Sequence, residues 1–376
     1  MKPIRDLSQP FSRGLALAWI LIVCAPLVAS VLLGTPADGL PLLGIVFWIV
    51  LMRYARRLSP ALRADMLTRN GQYTQALDMA ERALAVDGEG AWMGPRRLVW
   101  LNRRTTALLA LGQYDAALAS AIEALVTHAD SETISNCAQA LARLNRYDEA
   151  TRSARLALSL SRERSLTAQT SLAMVMLARE RPAEAEALAR AAYMDARSLL
   201  PLVRPEQYAI CLATLSRAER ALGRRESAER TLLELRKAIH KSSFLHAMVM
   251  IEESDAHAET DEERARAWGL IFAARGLAPD YTYWFALQPG TFAALRGDAR
   301  MTDLVAAAER RFAELATQAP GPEIVEKALA FATRTGTSRP AAQSSREALL
   351  AQVFTLGGTF ALLLFWTWRF FLSGNA

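Results

Sequence analysis

Several kinds of functional chemistry are scarce or missing in this sequence of 376 residues. It has only 4 histidines and 3 cysteines, and it contains no glycine-rich phosphate loop, zinc-ligand spacing or nucleophile elbow. Three cysteines cannot build a disulfide framework, and Cys24, Cys137 and Cys211 lie in apolar or helical contexts typical of small buried residues. We therefore expect no enzyme activity, no cofactor and no metal site.

Clusters of metal ligands and of basic charge are also weak. His240, His246 and His257 lie near Glu252 and Asp255, but no His–Glu pair has the tight helical spacing of a metal site, so scattered surface residues are the favoured interpretation. The net charge of +6 is modest and is spread along the chain as mixtures of Arg and Glu. Such a distribution indicates solvated helix faces and does not indicate a nucleic-acid partner.

Long apolar runs are confined to the two ends of the chain. The run at 14–33 has 20 residues without a charge, which is enough for a helix to cross the hydrocarbon core of about 30 Å. The run at 39–52 is shorter, and Arg53 and Tyr54 extend it into a second crossing by snorkelling and interfacial anchoring; a re-entrant or buried helix stays open as the alternative. The run at 348–368 predicts a third span. The lipid bilayer is therefore an expected partner.

Basic residues near these runs predict the orientation. Between the first two spans there is no Lys or Arg, whereas basic residues precede the first span, follow the second and precede the third: Lys2, Arg5, Arg13, Arg53, Arg56, Arg57, Arg334, Arg339 and Arg346. The positive-inside rule then places the N-terminus and the central region in the cytoplasm. If the second run did not cross, the central region would be exported. The Ala- and Arg-rich composition suggests a bacterial inner membrane protein.

The central region contains internal repeats. GQYTQA at 71–76 recurs as GQYDAA at 112–117 and NRYDEA at 145–150, and weaker copies are ERPAEA at 180–185 and GRRESA at 223–228. The copies start at residues 71, 112, 145, 180 and 223, so their spacings are 41, 33, 35 and 43 residues. A sixth, weaker copy covers 262–279, with Ala267 and Ala274 in phase.

The residue types in each copy predict a pair of antiparallel helices. Gly, or Asn in the third copy, accepts the left-handed backbone that ends the first helix. The following aromatic residue fills the gap between the helices, and the small Ala three residues later allows the two backbones to approach closely. Because one pair cannot bury its apolar face alone, the copies must stack on one another.

These residues resemble the tetratricopeptide repeat (TPR) family over roughly 58–279. No copy has the family's usual Trp near its start, only the last has the closing Pro279, and the spacings of 41 and 43 indicate longer loops (88–97) or longer helices (191–204). The segment 281–312 resembles the tail that closes many bacterial TPR arrays, with a Pro-x-x-Phe turn followed by Leu-Arg-x-Asp, and we expect it to cap the array. A further helix is predicted over 323–334.

The predicted fold is therefore all-α: a TPR-like α-solenoid with two N-terminal and one C-terminal transmembrane helices. The expected organisation is a cytoplasmic N-terminus (1–13), a transmembrane hairpin (14–56), a superhelix of five to six helix pairs (57–280), a helical cap (281–332), a flexible linker (333–347) and a C-terminal transmembrane helix (348–370). Gly357 and Ala361 lie four residues apart and could seat another transmembrane helix closely.

The resemblance implies that the first helix of each pair lines a concave side that binds protein partners. Asn136 and Arg143 face the same side and resemble part of the clamp that some TPR proteins use for a partner's carboxylate; because the other clamp residues are missing, a general polar groove is favoured. Its net basic mixture suits an extended, acidic or carboxylate-bearing peptide. The candidate surface consists of Arg69, Asn102, Thr106, Asn136, Gln139, Arg143, Thr170, Met174, Arg217 and Arg220.

Two functional hypotheses follow from the arrangement of membrane spans around a repeat array. In the first, the chain is a membrane-anchored scaffold or adaptor that binds partner proteins at the cytoplasmic face and assembles or stabilises a membrane complex. In the alternative, it is an integral accessory subunit of a transporter or secretion complex, and the transmembrane helices are the working part.

Overall fold

A computed structural model describes residues 64, 67–68, 70–86, 94–161, 165–196, 205–239 and 242–336, with the backbone alone at 86, 94–96, 196, 205 and 206. All of them belong to one compact unit that begins at Ala64. None of the described helices combines the length and the apolar character needed to cross a bilayer. The predicted spans at 14–33, 39–52 and 348–368 lie outside the described residues.

The described elements are all helical. Helix α1 follows the first repeat turn, the next ten helices form five successive pairs, and four elements follow them: α1 (Tyr73–Val86), α2 (Gly94–Ala110), α3 (Tyr114–Thr127), α4 (Ser131–Arg143), α5 (Tyr147–Leu160), α6 (Leu166–Ala178), α7 (Pro182–Ala196), α8 (Pro205–Ala221), α9 (Arg225–Ala238), α10 (Ser243–Ala256), α11 (Asp261–Leu277), α12 (Pro279–Ala286), a 3₁₀ turn (Ala293–Leu295), α13 (Ala299–Gln318) and α14 (Pro322–Thr335).

Five turns between paired helices share one backbone conformation. The residue that ends each first helix has positive φ: Gly71, Gly112, Asn145, Glu180 and Gly223, with φ between 56° and 81°. In the turn before α3, Gln113 N donates to Leu108 O and Gly112 N donates to Leu109 O, which is the Schellman pattern. The same pair of bonds recurs at the other four turns. The predicted left-handed helix end is confirmed, and Glu180 adopts it without the freedom of glycine.

Small residues line the face that each second helix turns toward its partner. The Ala three residues after α3 begins, Ala117, is fully buried, and Ala121 and Ala124 continue the same face one and two turns later. The equivalent positions of α5 are Ala150, Ala154 and Ala157, which are also fully buried. Because alanine has no side chain beyond Cβ, the helix backbones can pack closely along this face, as the repeat predicted.

Helix lengths account for part of the irregular spacing. The first helices α2 and α8 have 17 residues each, whereas α4 and α6 have 13. The first helices pack side by side in the order α2, α4, α6, α8 and α10, which we call the inner row. Within this row α6 is buried on nearly every side, as expected of a helix that is apolar all round.

The segment after α11 does more than cover an end of the array. Helix α12 packs against α10, α11 and α13, and α13 and α14 return to pack on α3 and α5. The Arg146 guanidinium donates to Pro320 O, and Arg152 pairs with Glu326. Residues about 174 positions apart in the chain are therefore held together.

The tyrosines that follow the repeat turns contact residues outside their own repeat, which the repeat pattern does not predict. Tyr73 and Tyr114 are almost fully buried, but their partners include residues distant in sequence. The Tyr73 hydroxyl lies 2.8 Å from that of Ser242, and the Tyr114 ring lies 6.1 Å from the ring of Phe312. The sequence pattern predicts packing within a pair and carries no information about these long-range contacts.

Candidate binding surface

Nine of the ten residues predicted to line the inner side are described, and Arg69 lies outside the described residues. They belong to four consecutive members of the inner row. Asn102 and Thr106 are on α2, Asn136, Gln139 and Arg143 on α4, Thr170 and Met174 on α6, and Arg217 and Arg220 on α8. The inner row does bring them together: Asn136 Nδ2 donates to Asn102 Oδ1 at 3.4 Å, and Arg143 Nη2 contacts Met174 Sδ at 3.8 Å.

These residues differ in their access to solvent. Asn102 and Thr106 are half-buried, whereas Asn136, Gln139 and Arg143 are only 5–6% exposed. Thr170 is fully buried and Arg217 is 8% exposed. The set therefore has an accessible end at α2 and a covered end at α6 and α8.

An aromatic segment of α12 covers the inner side of α4 and α8. The Arg143 guanidinium carbon lies 3.9 Å from the Trp284 ring centroid and 4.7 Å from that of Tyr281, and the Arg217 guanidinium lies 4.5 Å from the Phe285 ring centroid. Trp284 Nε1 donates to Ala142 O at 3.1 Å. Sequence reasoning missed this contact, although the run YTYWF at 281–285 is more aromatic than a solvent-facing cap requires.

Arg217 and Arg220 belong to a buried ion-pair network. Arg220 Nη2 lies 2.6 Å from Glu252 Oε2 and 3.1 Å from Asp255 Oδ2, and Arg217 Nε lies 3.4 Å from Glu252 Oε1. Burial raises the pKa of the Glu252 carboxyl, and the two guanidinium groups oppose that effect. Asp255 Oδ1 also accepts a hydrogen bond from Phe292 N at 2.5 Å. The network thus joins α8 and α10 to the turn after α12.

A small cavity of about 30 Å³ lies between helices of the inner row. Three of the side chains that line it each have one buried polar atom without a hydrogen-bond partner: Gln139 Nε2, Arg143 Nη1 and Gln207 Oε1. Helices α2, α4, α8 and α10 supply its walls, which consist of Thr106, Leu109, Ala110, Asn136, Gln139, Arg143, Gln207, Ile210 and Phe244. Gln207 was not among the residues predicted from the sequence, because it comes together with α4 only through the packing of non-consecutive pairs.

The side chains at this surface can bind a partner through hydrogen bonds and charge. Burial raises the pKa of the Cys137 and Cys211 thiols to about 12, so both are neutral thiols and poor nucleophiles. No group of three or more His, Cys, Asp or Glu side chains converges within the described residues. The Nδ1 of His246 lies 2.8 Å from the backbone oxygen of Ser242, the N-cap residue of its own helix.

Among the comparisons with known proteins, the comparison with solved structures found similar chains. No family model matches the chain, and no curated protein matches it. A putative kinesin light chain with nearly identical TPR-like repeats from Podosopora anserina is 20% identical, and the match covers 49% of this chain and 94% of that one at a TM-score of 0.36. A tetratricopeptide repeat protein from Parabacteroides merdae is 14% identical, with 73% and 97% covered at a TM-score of 0.34.

The repeated Schellman turns and the row of first helices decide the architecture of the described region. The fold is a TPR-like helical solenoid. In this solenoid the inner row carries the predicted polar residues, and the chain's own α12 covers two of them, Arg143 and Arg217.

Proposed function

We propose that this chain is a membrane-anchored TPR-like scaffold that binds partner proteins at the cytoplasmic face of a bacterial inner membrane and helps to assemble or stabilise a membrane complex. The predicted spans at both ends and the basic residues beside them support the anchoring and its orientation. Two tethers would raise the local concentration of a bound partner near its membrane clients.

The single observation that supports a binding role best is the partly polar cavity between α2, α4, α8 and α10. Gln139, Arg143 and Gln207 line it, and each has one buried polar atom without a hydrogen-bond partner, whereas buried polar groups are normally satisfied. The half-buried residues Thr106 and Gln207 lie at its rim. A bound partner that donates and accepts hydrogen bonds at the cavity would supply the hydrogen bonds that these side chains lack.

The proposed partner segment is an extended, acidic or carboxylate-bearing peptide. It would lie over α2 and the adjacent part of α4, because α12 occupies the inner side of α4 and α8 further along the row. An extended segment of a few residues fits this restricted surface better than a long peptide that follows the whole row.

Site-specific crosslinking in native membranes tests the proposal. A photo-crosslinking residue replaces Thr106 at the rim of the cavity or, as a matched control, Glu229, which is exposed on the second helix α9. We expect one protein to be captured in stoichiometric amount from position 106 and not from position 229. Equal capture at both positions, or no captured protein at position 106, would contradict the proposed surface.

A further inference from the structure

Helix α14 runs beside α5 in the same direction. Where the two helices begin, the Arg146 guanidinium donates to Pro320 O. Where they end, a Cβ on Gly336 would lie 2.8 Å from Leu160 Cδ1, and the ion pair of Arg152 lies between these two contacts. Because the contacts follow one another in the same order along both helices, α5 and α14 end at the same edge of the solenoid.

Helix α3 ends at this edge as well, because α3 and α5 are second helices that pack on their first helices in the same way. Ser120 Oγ donates to Leu101 O in one pair. At the equivalent positions of the next pair, Ser153 Oγ donates to Ile134 O. Helix α14 packs on both α3 and α5. We call the last two turns of the three helices the α14 edge, which consists of residues 120–127, 153–160 and 328–335.

The chain continues from the α14 edge toward the predicted C-terminal span. Only the eleven residues 337–347 separate Gly336 from the predicted span at 348–368. Eleven residues extend over about 40 Å at most, and the 14 residues of α14 form a helix about 21 Å long. If the opposite edge faced the bilayer, about half of the available length would be used in passing α14.

The α14 edge combines an exposed apolar side chain with basic side chains that have no carboxylate partner. Val126, in the last turn of α3, is 52% exposed. Arg155 and Arg334 are exposed, and no carboxylate of a described residue lies within salt-bridge distance of either one. The one acidic residue of the edge is Glu123, which pairs with Arg97. The unpaired charge at this edge is therefore positive.

The opposite ends of the same helices have the opposite charge. Asp115 lies in the first turn of α3 and Glu323 in the first turn of α14. Neither carboxylate has a basic side chain of a described residue within salt-bridge distance. Long-range electrostatic attraction depends on such uncompensated charge. A negatively charged surface would therefore attract the α14 edge and repel the beginnings of α3 and α14.

We propose that the α14 edge rests on the anionic headgroups of the bilayer, with Arg155 and Arg334 contacting lipid phosphates and Val126 entering the interface; the proposal rests on the membrane anchoring proposed above. Each basic side chain near an anionic lipid surface strengthens attachment by about fivefold. Two such side chains attach a protein weakly by themselves, but a nearby span keeps them at a high local concentration beside the lipid. The course of the chain toward the predicted span favours lipid over a protein as the occupant of this edge.

Photo-crosslinking of the full chain in vesicles tests the contact. A photo-crosslinking residue replaces Val126 or, as a matched control, Gln113, which is exposed at the other end of the same helix. The vesicles contain phosphatidylglycerol and phosphatidylcholine in equal amounts, or phosphatidylcholine alone. We expect mass spectrometry to find phospholipid attached at position 126 and not at position 113, and more of it in the vesicles with phosphatidylglycerol.

Substitution of the two arginines tests the role of charge. With the photo-crosslinking residue at position 126, Arg155→Gln and Arg334→Gln should each lower the amount of captured lipid by up to about fivefold in the anionic vesicles. The effect in phosphatidylcholine vesicles should be small. Arg230→Gln is the matched control, because Arg230 is exposed on α9 and its Nε donates to a carbonyl one turn earlier, as Nε of Arg334 does. It should leave the captured amount unchanged.

An alkaline wash of the same vesicles separates this proposal from the anchoring. A chain that resists the wash but captures no lipid at position 126, or captures equal amounts at positions 126 and 113, would overturn the lipid contact and leave the anchoring in place. Capture of a second copy of the chain in place of lipid would do the same. Release of the chain by the wash would overturn both proposals.

Discussion

Gly112 and Gly223 hold the same left-handed backbone in different surroundings. Their φ values are 81° and 73°. A Cβ at Gly112 would lie 2.8 Å from Cβ of Asp280, whereas a Cβ at Gly223 would meet nothing within 4 Å. Asp280 cannot move away freely, because Arg311 donates to both of its carboxylate oxygens at 2.9 Å. The first glycine therefore serves both a turn and a close contact with α12.

Alanine at these two positions should separate the two roles. Gly223→Ala should lower the free energy of unfolding by about 1–2 kcal/mol, the usual cost of a left-handed conformation. Gly112→Ala should cost clearly more, because Asp280 must also shift. Gly269→Ala, in the exposed middle of α11, should stabilise by about 0.5–1 kcal/mol. Urea unfolding of the solubilised chain measures all three, and equal costs for the first two would refute the contact.

Asp298 shows how one residue links two helices through its charge. Its carboxylate accepts hydrogen bonds from Arg300 N and from Trp268 Nε1, each at 2.9 Å, so it caps α13 and holds it to α11. Hydrogen bonds from the Arg300 side chain and backbone lower the pKa of Asp298 to about 2. The folded state therefore favours the ionised carboxylate.

This lowered pKa predicts a pH dependence with a definite sign. A carboxylate with a depressed folded-state pKa contributes stability above its ordinary pKa, near 4, and the contribution is lost as the pH falls toward 2. Asp298→Asn keeps a capping oxygen but loses the charge. The urea midpoint of the wild type should exceed that of the variant at pH 5, and the difference should shrink steadily toward pH 2. A difference that does not change with pH would contradict the assignment.

At the scale of elements, α12 is the helix that covers the inner row with aromatic side chains. It carries Tyr281, Trp284 and Phe285, each at most 3% exposed, and Asp255 holds the following turn through the backbone of Phe292. Phe292 has a φ of 51°, an unusual value for an aromatic residue. Such a conformation persists only where the surroundings determine it strongly, which indicates that α12 is a permanent part of the inner core.

Truncation of two aromatic residues tests this role of α12. Trp284→Ala should destabilise the chain by about 3–5 kcal/mol, because it removes a buried side chain and uncovers the Arg143 guanidinium. Phe272→Ala, at a residue 49% exposed on α11, should change stability by less than about 1 kcal/mol. Thermal or urea unfolding compares the two variants. Similar small effects of both would mean that α12 detaches easily from the inner row.

At the scale of the whole molecule, the predicted membrane spans precede and follow the described solenoid in the sequence. Helix α14 packs on α3 and α5 and continues to Thr335, three residues into the predicted linker at 333–347. The predicted spans at 14–33, 39–52 and 348–368 stay predictions, since they lie outside the described residues.

Membrane extraction and protease access test the predicted attachment and orientation. The chain should stay with the membranes during an alkaline wash, because apolar spans are held by burial in lipid and not by charge. A protease should cleave the linker in inverted vesicles and leave it intact in spheroplasts, as the positive-inside rule predicts. Release by the alkaline wash would exclude the spans, and cleavage in spheroplasts alone would reverse the orientation.

Local residue patterns predicted the repeated elements well and the placement of the inner-row residues in part. The copies at 71, 112, 145, 180 and 223 predicted the helix ends, since a left-handed turn and a small buried Ala impose requirements within one pair. The inner-row positions of Asn136 and Arg143 also followed, because helical spacing decides which residues share a face. Their exposure did not follow, since it depends on a segment about 140 residues away.

The sequence by itself determined that the central region is a stack of helix pairs, because turn geometry and apolar periodicity are local properties that each copy repeats. Only the tertiary structure decided that Trp284 covers Arg143, that Gln207 completes the wall of the cavity and that α14 returns to α3. These contacts join distant segments, and the burial of aromatic side chains that produces them depends on shape and not on spacing along the chain.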